Sequence, residues 1–304
     1  MSLITKLRKK LSDSNFLRRV PISILTNFKD LDEFVSQFKN NPDLEFLARY
    51  KLDENAFFDM FGSKNNNPDP FSAEYRDYEF KFFEFLAGNK YNVSDEGEKL
   101  GRDSSTLYAT NPLVHMSESY RVERLNKVID FASFIGMRQG EKILEMGCGY
   151  GFLASTLEAW GADYWGIDAS EIFIDCSRRM VFSDKTKKQI VHSQFADFEN
   201  LGQKFDTVIF ESAFHHCSDP VGLLQKIHTN HRGRVILWNE PILESADRPW
   251  GIIRYDGETM LQIRSRGWLE LAWTRDFLYE LFRKTGWMVK REDRSRNFVE
   301  IIKQ

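Results

Sequence analysis

The sequence predicts an α/β fold: a seven-stranded, mostly parallel sheet with helices on both faces, preceded by a mainly helical N-terminal lobe. The first observation is an apolar run at 143–146 that ends in alternating glycines and continues into a helical pattern up to Trp160. The second is a series of further short apolar runs typical of buried strands. These runs lie at 164–168, 189–192, 205–210 and 234–238. The third is a helix capped by Thr274, followed by two strands joined by a short polar turn that finish the sheet as an antiparallel pair.

Length and charge limit the classes of protein to consider. The chain has 304 residues, enough for one full α/β core and a further lobe. We expect the lobe to cover residues 1–115 and the sheet domain to cover 116–304, because a helical pattern directly precedes the first strand. The net charge is −3, so no global basic field recruits nucleic acid. The 26 phenylalanines indicate a large core with aromatic residues left over for a ligand pocket.

The cysteines and apolar runs favour a cytoplasmic location. Cys148, Cys176 and Cys217 are odd in number and far apart, with neither C-x-x-C spacing nor a disulfide framework, which fits a reducing compartment. No apolar run approaches the length of a membrane span, and the start of the chain lacks the hydrophobic stretch of a signal peptide. Residues 1–20 are basic, with apolar residues at roughly helical spacing. They favour either a solvated helix packed on the domain or a peripheral contact with an anionic membrane surface.

Helical spacing of apolar residues predicts three helices ahead of the sheet, in addition to a helical stretch that ends near Phe61-Gly62. The first covers 31–38. The second follows a polar loop, is capped by Ser72 and ends at Gly88, and its aromatic stripe is typical of core. The third covers 117–136. Its predicted apolar face consists of Val122, Leu125, Val128, Ile129 and Ala132.

A glycine turn follows the first predicted strand of the sheet. Glu145 ends the apolar run, and Gly147, Gly149 and Gly151 alternate behind it. Glycine allows close approach between backbone and ligand, and the start of a helix offers free N–H groups and the positive end of the helix dipole. The pattern indicates a nucleotide-like ligand, and a purely structural bend between strand and helix is the alternative.

The spacing of the glycines and of the following acid distinguishes between candidate nucleotide ligands. The dinucleotide fingerprint requires a small residue three positions after its second glycine, where this chain has Phe152, and that disfavours NAD. Asp168 ends the next predicted strand, twenty-one residues after Gly147, where a carboxylate can accept hydrogen bonds from a ribose diol. The alternative role of Asp168 is to cap the following helix.

The E-x-G-x-G-x-G arrangement followed by Asp168 resembles the first motif of the class I S-adenosylmethionine-dependent methyltransferases, which have a Rossmann-like fold. The resemblance covers 116–304 nearly completely and implies S-adenosyl-L-methionine as cofactor. It also implies that Asp197, after the third strand, accepts from the adenine amino group; a surface turn is the alternative. The implied cofactor-binding residues are Glu145, Gly147, Cys148, Gly149, Gly151, Asp168, Ala169, Asp197, Phe198 and Glu211.

Candidate catalytic residues follow the fourth and fifth predicted strands. Methyl transfer from a sulfonium is an in-line displacement, so the protein aligns the reactants, excludes water and removes a proton from the acceptor. His215, His216 and Glu240 lie where residues of an open parallel sheet face the site. A histidine is the best-suited base for an alcohol, although paired histidines also pack against helices or cap them.

We expect no metal at this site and expect transfer to proceed without one. Glu211, His215 and Glu240 could imitate the divalent-metal set of some sugar methyltransferases, but the aspartate cluster of those sites is missing. Zinc held by His215, His216 and Cys217 is disfavoured, because adjacent residues do not easily converge on one tetrahedron.

The connection at 242–273 is predicted to be irregular and to hold the acceptor against the N-terminal lobe. Its three tryptophans suit the apolar side of a sugar ring, and charged neighbours can fix the hydroxyls. The alternative is that these tryptophans cover the sheet. The predicted acceptor-binding residues are Trp268, Glu270 and Trp273.

A second, looser resemblance concerns the acceptor. The run 70–91 and the segment 267–270 resemble methyltransferases found with bacterial cell-surface polysaccharide genes. This resemblance implies O-methylation of a sugar or glycan hydroxyl in polysaccharide biosynthesis. Two alternatives stay open: a methyltransferase for another small molecule, such as a natural product or lipid-like acceptor, and a non-catalytic cofactor-binding protein of the same fold. Degenerate copies usually lose the glycines or the acid after the second strand, and this chain keeps both.

Overall fold

The computed structural model describes residues 23–40, 50–53, 68–93 and 118–304. The predictions for the basic N-terminal stretch, for the helical stretch that ends near Phe61-Gly62 and for most of the loop before Ser72 fall outside these ranges. Ahead of the sheet domain the described elements are β1 (Ser23–Leu25), α1 (Phe28–Asn40), β2 (Tyr50–Leu52) and α2 (Ala73–Ala87). Strands β1 and β2 pair in parallel. The predicted helical lobe therefore contains a small sheet that the sequence did not indicate.

Helix α2 begins and ends where the sequence predicts. The Ser72 hydroxyl accepts from the N–H of Tyr75 at 3.1 Å, which satisfies one of the free N–H groups of the first turn. Gly88 ends the helix in the left-handed region, with φ of 76°. Tyr75 and Phe82 of the predicted aromatic stripe are inaccessible to solvent, whereas Tyr78 is half-buried and Phe85 is 38% exposed. The prediction of a core stripe thus holds for two of its four residues, and Phe83 completes the buried side of the helix.

From residue 118 onward, helices and strands alternate through most of the chain. The helices are α3 (Glu118–Phe134), α4 (Phe152–Ala159), α5 (Glu171–Met180), α6 (Asp184–Gln189), α7 (Pro220–Asn230), α8 (Gly257–Leu261) and α9 (Arg275–Lys284). The strands are β3 (Lys142–Met146), β4 (Asp163–Asp168), β5 (Ile190–His192), β6 (Thr207–Glu211), β7 (Arg234–Trp238), β8 (Ile242–Leu243), β9 (Trp250–Gly251), β10 (Ala272–Thr274), β11 (Trp287–Asp293) and β12 (Phe298–Lys303). Within the described ranges, no helix has the length and apolar character needed to cross a membrane.

Seven strands form one sheet, in the order β11-β12-β7-β6-β3-β4-β5. The five strands β3 to β7 run parallel, whereas β12 is antiparallel to β7 and β11 is antiparallel to β12. The chain moves outward from β3 to β5 and then returns to β6 on the other side of β3. In open α/β sheets, ligands bind outside the carboxyl ends of the strands at such a reversal. The predicted fold class, including the antiparallel finish, is confirmed.

The connection between β7 and α9 is ordered, contrary to the prediction of an irregular segment. Strands β8, β9 and β10 form a three-stranded sheet, and α8 continues into a π-helical turn at Gln262–Arg266. Trp250 and Trp273 are buried and stacked, with 5.8 Å between ring centroids, and both also stack on Phe277. These two tryptophans therefore belong to the core, because large aromatic rings gain most from burial there.

A buried ion pair joins α2 to this connection. The Arg248 guanidinium donates to the Glu79 carboxylate, and both side chains are 2% exposed. The same carboxylate accepts from the N–H of Ile252 at 3.1 Å, and the Tyr75 hydroxyl donates to the Trp250 carbonyl at 2.8 Å. Because a buried charge without its partner is costly, these contacts tie α2 firmly to the sheet domain. The described N-terminal residues share one hydrophobic core with that domain.

Helix α3 presents a different face from the predicted one. Val128 and Ala132 are buried as expected, but the other three residues of the predicted face are at least 43% exposed. Phe131 completes the buried side, stacked on Trp238 with 4.1 Å between ring centroids. The helix is thus rotated so that its aromatic residue, which buries more area than any aliphatic one, meets the sheet.

Candidate active site

A cavity of about 620 Å³ opens at the carboxyl ends of β3, β4 and β6, where the strand order reverses. This volume is typical of small-molecule sites, which span roughly 300–1,000 Å³. The loops after β3 to β6 line the cavity, together with parts of α3 and α7. Tyr91, Asn92 and Val93 also line it, so the N-terminal region contributes to the wall.

The glycine turn forms one wall. Gly147 and Gly149 are in the left-handed region, with φ of 78° and 51°, which glycine adopts without strain. A Cβ on Gly147 would lie 2.6 Å from the Cβ of Ala213, whereas a Cβ on Gly149 would meet nothing within 4 Å. Gly147, Cys148 and Gly149 line the cavity, so a ligand can approach the backbone there. Gly151 does not line it and packs against Ser177 instead.

Asp168 lies beside this turn, at the end of β4. Its carboxylate accepts from the N–H groups of Gly149 and Ser170, each at 2.9 Å. Burial raises the pKa of Asp168 to about 6, against the lowering effect of these two hydrogen bonds. Each oxygen accepts one of the bonds and retains a lone pair for a ligand hydroxyl. Asp168 and Ala169 line the cavity, and Ser170 rather than Asp168 caps α5.

Two acids at the ends of β3 and β6 have different surroundings. Glu145 is 2% exposed and accepts from the Tyr164 hydroxyl at 2.5 Å. Burial raises the pKa of Glu145 well above its ordinary range. Glu211 pairs with Arg124 of α3 at 2.7 Å, and the guanidinium lies 4.9 Å from the ring centroid of Phe152. Glu145, Glu211 and Arg124 all line the cavity. Sequence reasoning missed Arg124, because an ion pair between distant residues leaves no local pattern.

The segment after β5 differs from the prediction. A 3₁₀ helix at Phe195–Leu201 begins there. Asp197 is exposed and Phe198 is 3% exposed in the core, and neither lines the cavity. A 3₁₀ helix has about three residues per turn, so Asp197 is carried past the cavity edge. The residues that line the cavity at this point are Gln194, Phe195 and Ala196.

Two adjacent histidines after β6 occupy different environments. His215 is 8% exposed, does not line the cavity, and has Nδ1 2.8 Å from Oε2 of Glu240. His216 does line the cavity, and its Nδ1 lies 2.8 Å from the carbonyl oxygen of Leu269. A carbonyl oxygen can only accept, so Nδ1 of His216 carries the proton and Nε2 holds a lone pair.

The pKa values of the two histidines are shifted in opposite directions. Burial lowers the pKa of His216 well below its ordinary value, and the neighbouring His215 adds to the effect. His216 is therefore neutral near pH 7, and its Nε2 can accept a proton. Burial opposes the charged form of His215, but the Glu240 carboxylate outweighs it and raises the pKa of His215. Of the two predicted candidates, His216 is the one placed to act as a base on a ligand.

Glu240 anchors the turn and does not face the cavity. It is 1% exposed, and its Oε1 accepts from the N–H groups of Ala213 and Phe214, both at 2.8 Å. Its Oε2 accepts from the N–H of His215 at 3.1 Å and from the ring of the same residue. Four donors therefore occupy this carboxylate. The predicted catalytic role of Glu240 is replaced by a positioning role.

The segment before β10 separates the predicted acceptor-binding residues. Trp268 lines the cavity and meets His216 edge to face, with 5.8 Å between ring centroids. Glu270 is 7% exposed and Trp273 is fully buried, and neither lines the cavity. Glu270 instead faces the ring of His215, with 3.8 Å between Oε2 and Nε2. Only Trp268 of this predicted set is in place to contact an acceptor.

Comparison with known proteins gives a family and a set of relatives. A protein-family model described as a methyltransferase domain matches residues 117–291. The chain is 28% identical over 148 residues to the ubiquinone biosynthesis O-methyltransferase of Aliivibrio fischeri, covering 48% of this chain and 55% of that protein. It is 29% identical over 149 residues to the protein of the same name from Vibrio parahaemolyticus, covering 48% and 54%. The chain thus spans about half the length of these curated relatives.

Two solved structures that are similar to part of this chain are methyltransferases. Magnesium protoporphyrin IX methyltransferase from Synechocystis PCC 6803 with bound SAM has a TM-score of 0.44 and 18% identity, covering 61% of this chain and 82% of that chain. A putative methyltransferase in complex with the Trm112 activator from Haloferax volcanii has a TM-score of 0.49 and 14% identity, covering 65% and 95%.

Proposed function

Because this chain belongs to the methyltransferase-domain family, we propose that it is an enzyme that transfers a methyl group from S-adenosyl-L-methionine to a hydroxyl group of a small molecule. One observation carries the proposal: a single cavity is lined by the glycine turn with Asp168 and also by His216, a neutral base. The relatives named above are O-methyltransferases by name, which supports a hydroxyl acceptor.

The residues of the cavity fit this cofactor. Asp168 offers two acceptor oxygens to ribose hydroxyls, next to a turn whose backbone a ligand can approach at Gly149. Arg124 and Glu211 offer one positive and one negative group, which suit the carboxylate and the ammonium of the amino-acid end. Phe195 presents an aromatic face for the adenine ring. When bound, S-adenosyl-L-methionine supplies an electrophilic methyl group on a sulfonium.

His216 carries the proton transfer. Its Nε2 takes the proton from the acceptor hydroxyl as the new bond to carbon forms, and the ring becomes an imidazolium. The Leu269 carbonyl holds Nδ1–H and so keeps the ring in the tautomer that a base requires. Trp268 packs edge to face against the same ring at the wall of the cavity. Glu240 fixes the turn that presents the histidine.

The class of acceptor rests on fewer contacts. The first candidate acceptor is a sugar or glycan hydroxyl of polysaccharide biosynthesis. Trp268 supports this candidate, because it lines the cavity and its face suits a sugar ring. Trp250 and Trp273 do not support it, because they are buried in the core. The curated relatives named above belong, by their names, to ubiquinone biosynthesis and not to polysaccharide biosynthesis. An aromatic hydroxyl is the second candidate, because Trp268 and Tyr91 both present rings to the cavity and the curated relatives belong to ubiquinone biosynthesis.

A labelling experiment tests the function and separates the acceptors. The full chain is incubated with S-adenosyl-L-methionine labelled in its methyl group and with separate pools of nucleotide sugars, oligosaccharides, small phenols and peptides. Label in a carbohydrate pool supports the sugar acceptor, and label in the phenol pool supports the aromatic one. Label in peptides alone, or in none of the pools, contradicts the proposal. His216→Ala serves as the control for enzymatic transfer.

The cellular setting is a further part of the proposal. Cys148, Cys176 and Cys217 are buried thiols and not disulfides, which supports a reducing, cytoplasmic compartment. The peripheral membrane contact predicted for residues 1–20 is tested by sedimentation with anionic and with neutral vesicles. Sedimentation with anionic vesicles alone supports the contact, and sedimentation with neither contradicts it.

A further inference from the structure

Three side chains with metal-binding atoms meet beside the cavity. Nε2 of His215 lies 3.8 Å from Oε2 of Glu270, and the rings of His215 and His216 are 4.2 Å apart between centroids. One ligand atom from each of the three residues lies within 4.8 Å of the other two. The turn after β6 supplies both imidazoles, and the segment before β10 supplies the carboxylate.

This group differs from the set that the sequence disfavoured, which was His215, His216 and Cys217. Adjacent histidines do come together here, because the 3₁₀ turn at Phe214–His216 sets the two rings side by side. The third ligand is Glu270, from a distant part of the chain, and Cys217 is not part of the group. No spacing in the sequence indicates such a set, since its members meet only through the packing of two loops.

Both imidazoles are oriented by a second hydrogen bond. Nδ1 of His215 donates to Glu240, and Nδ1 of His216 donates to the carbonyl of Leu269, each at 2.8 Å. Metal-binding histidines almost always donate their other N–H to a carboxylate or a backbone carbonyl, which fixes the ring and its tautomer. His215 has the carboxylate partner, and His216 has the backbone carbonyl partner. In the neutral form of each ring, with the proton on Nδ1, Nε2 has the lone pair that a metal requires.

The surrounding charges and the ligand types suit a transition-metal ion. The charges of His215 and, more weakly, Arg254 act on Glu270. The Arg254 guanidinium pairs with Asp256 at 3.0 Å and faces Glu258 at 3.9 Å. Two imidazoles and one carboxylate are ligands of zinc and related divalent ions. Around tetrahedral zinc the ligand atoms lie about 3.4 Å apart, so a side-chain movement of about 1 Å closes the group. Three protein ligands leave a coordination position open.

We propose that His215, His216 and Glu270 bind a divalent transition-metal ion, zinc in the first place, and that the bound ion inhibits methyl transfer by occupying Nε2 of His216. The binding does not depend on the proposed function; the inhibition rests on it, because it takes His216 as the base. The ion and the acceptor proton compete for one lone pair, so chelation restores the base. Transfer itself therefore requires no metal, in keeping with the expectation from sequence.

Cobalt reports the site without any turnover. The full chain is freed of metal with a chelator and titrated with cobalt chloride, and the visible absorption bands are followed. We expect one ion per chain, displaced by zinc sulfate. Glu270→Gln and His215→Gln should weaken cobalt binding at least tenfold. Glu258→Gln is the matched control, because Glu258 faces the same Arg254 but does not belong to the group. Thermal melting without metal shows whether each variant folds. If His215→Gln does not fold, the test relies on Glu270→Gln alone.

The inhibition is measured as the ratio of methyl-transfer rates with and without zinc. Zinc should slow the wild type and Glu258→Gln and should leave Glu270→Gln much less affected. No cobalt binding to the wild type, or wild-type binding by a folded Glu270→Gln, overturns the site. Cobalt binding with unchanged or faster transfer overturns the inhibition. Failure of the proposed function is distinguishable, since it would abolish transfer in the chelated wild type and leave the cobalt titration intact.

Discussion

The cavity has two sides that are built in different ways. On the side proposed for the cofactor, the N–H groups of Gly147 and Cys148 donate to the carbonyl of Ile167 at the end of the neighbouring strand, and the Asp168 carboxylate accepts from the N–H of Gly149. On the side proposed for the acceptor, His216 and Trp268 are held by contacts between loops, such as His216 to Leu269, 53 residues away. The first side depends on strand geometry and the second on packing between distant segments.

Because the two sides are built differently, we expect substitutions on one side to change cofactor affinity and substitutions on the other to change the rate of methyl transfer. The cofactor side presents fixed acceptors and open backbone, so substitutions there should weaken binding of the cofactor. The acceptor side presents a neutral imidazole whose tautomer is set by Leu269, so substitutions there should slow the transfer step. Substitutions on each side test whether cofactor affinity and the rate of transfer can be separated in this way.

The largest expected effect is on the acceptor side. His216→Ala removes the base and should lower kcat by roughly 10²–10⁴-fold, with cofactor affinity unchanged. His215→Ala should lower kcat less and mainly reduce stability, by about 1–3 kcal/mol, because buried Glu240 loses a partner. Rates under saturating cofactor and thermal melts measure both. A near-normal rate for His216→Ala would remove it from the mechanism, and a larger rate loss for His215→Ala would exchange the two roles.

The next effect is on the cofactor side. Asp168→Ala removes charge-assisted hydrogen bonds to the ribose and should cost about 2–4 kcal/mol of cofactor binding free energy, roughly 30- to 700-fold in Kd. Asp184→Ala is the control, because Asp184 is an exposed aspartate on α6. Calorimetry with S-adenosylhomocysteine measures both variants. Equal affinity for wild type and Asp168→Ala would contradict the assignment of the ribose site.

A third substitution tests the amino-acid end of the cofactor. Arg124→Met keeps an unbranched apolar stem and removes the charge that pairs with Glu211, so it should cost about 1.5–3 kcal/mol in binding S-adenosylhomocysteine. Adenosine lacks the amino-acid end, and its affinity should stay within error of the wild type. If both ligands lose affinity equally, Arg124 supports the fold of the cavity and does not contact the cofactor.

The smallest effect is a dependence on pH. Asp168 has a raised pKa of about 6, so below that pH it becomes protonated and accepts ribose hydrogen bonds poorly. Cofactor affinity should therefore fall below pH 6, by at most tenfold per unit. The sign for stability is opposite: the raised pKa destabilises the fold above the unfolded-state pKa, so this group should stabilise the ligand-free protein as pH falls from about 6 to 4. Asp168→Asn should remove both trends, and an unchanged pH profile in that variant would assign them to another group.

Sequence predicted the cofactor side more fully than the acceptor side, for a physical reason. A glycine turn and a strand-terminal acid are local features, and parallel strand ends place them together once the fold is known. Asp197 and Phe198 were misplaced because a 3₁₀ turn shifted the lining to the residues before them. On the acceptor side, only packing decides that Glu240 lies behind the histidines and that Trp273 belongs to the core.

The ion-pair partners of charged residues could not be predicted from the sequence either. Arg124 reaches Glu211 across 87 residues, and Glu79 meets Arg248 across 169. Such pairs have no periodic pattern, since either partner alone is typical of a solvated helix or loop. The ordered connection after β7 went undetected for a related reason: its strands are only two or three residues long, too short to show alternation.

Native mass spectrometry of the full chain with equal concentrations of S-adenosylhomocysteine and NAD tests most directly whether this cavity is a methyl-donor site. We predict one S-adenosylhomocysteine per chain, bound by the wild type and by His216→Ala alike and largely lost in Asp168→Ala, with no NAD complex. A chain that binds NAD in preference, or that retains S-adenosylhomocysteine equally in all three proteins, would contradict the account.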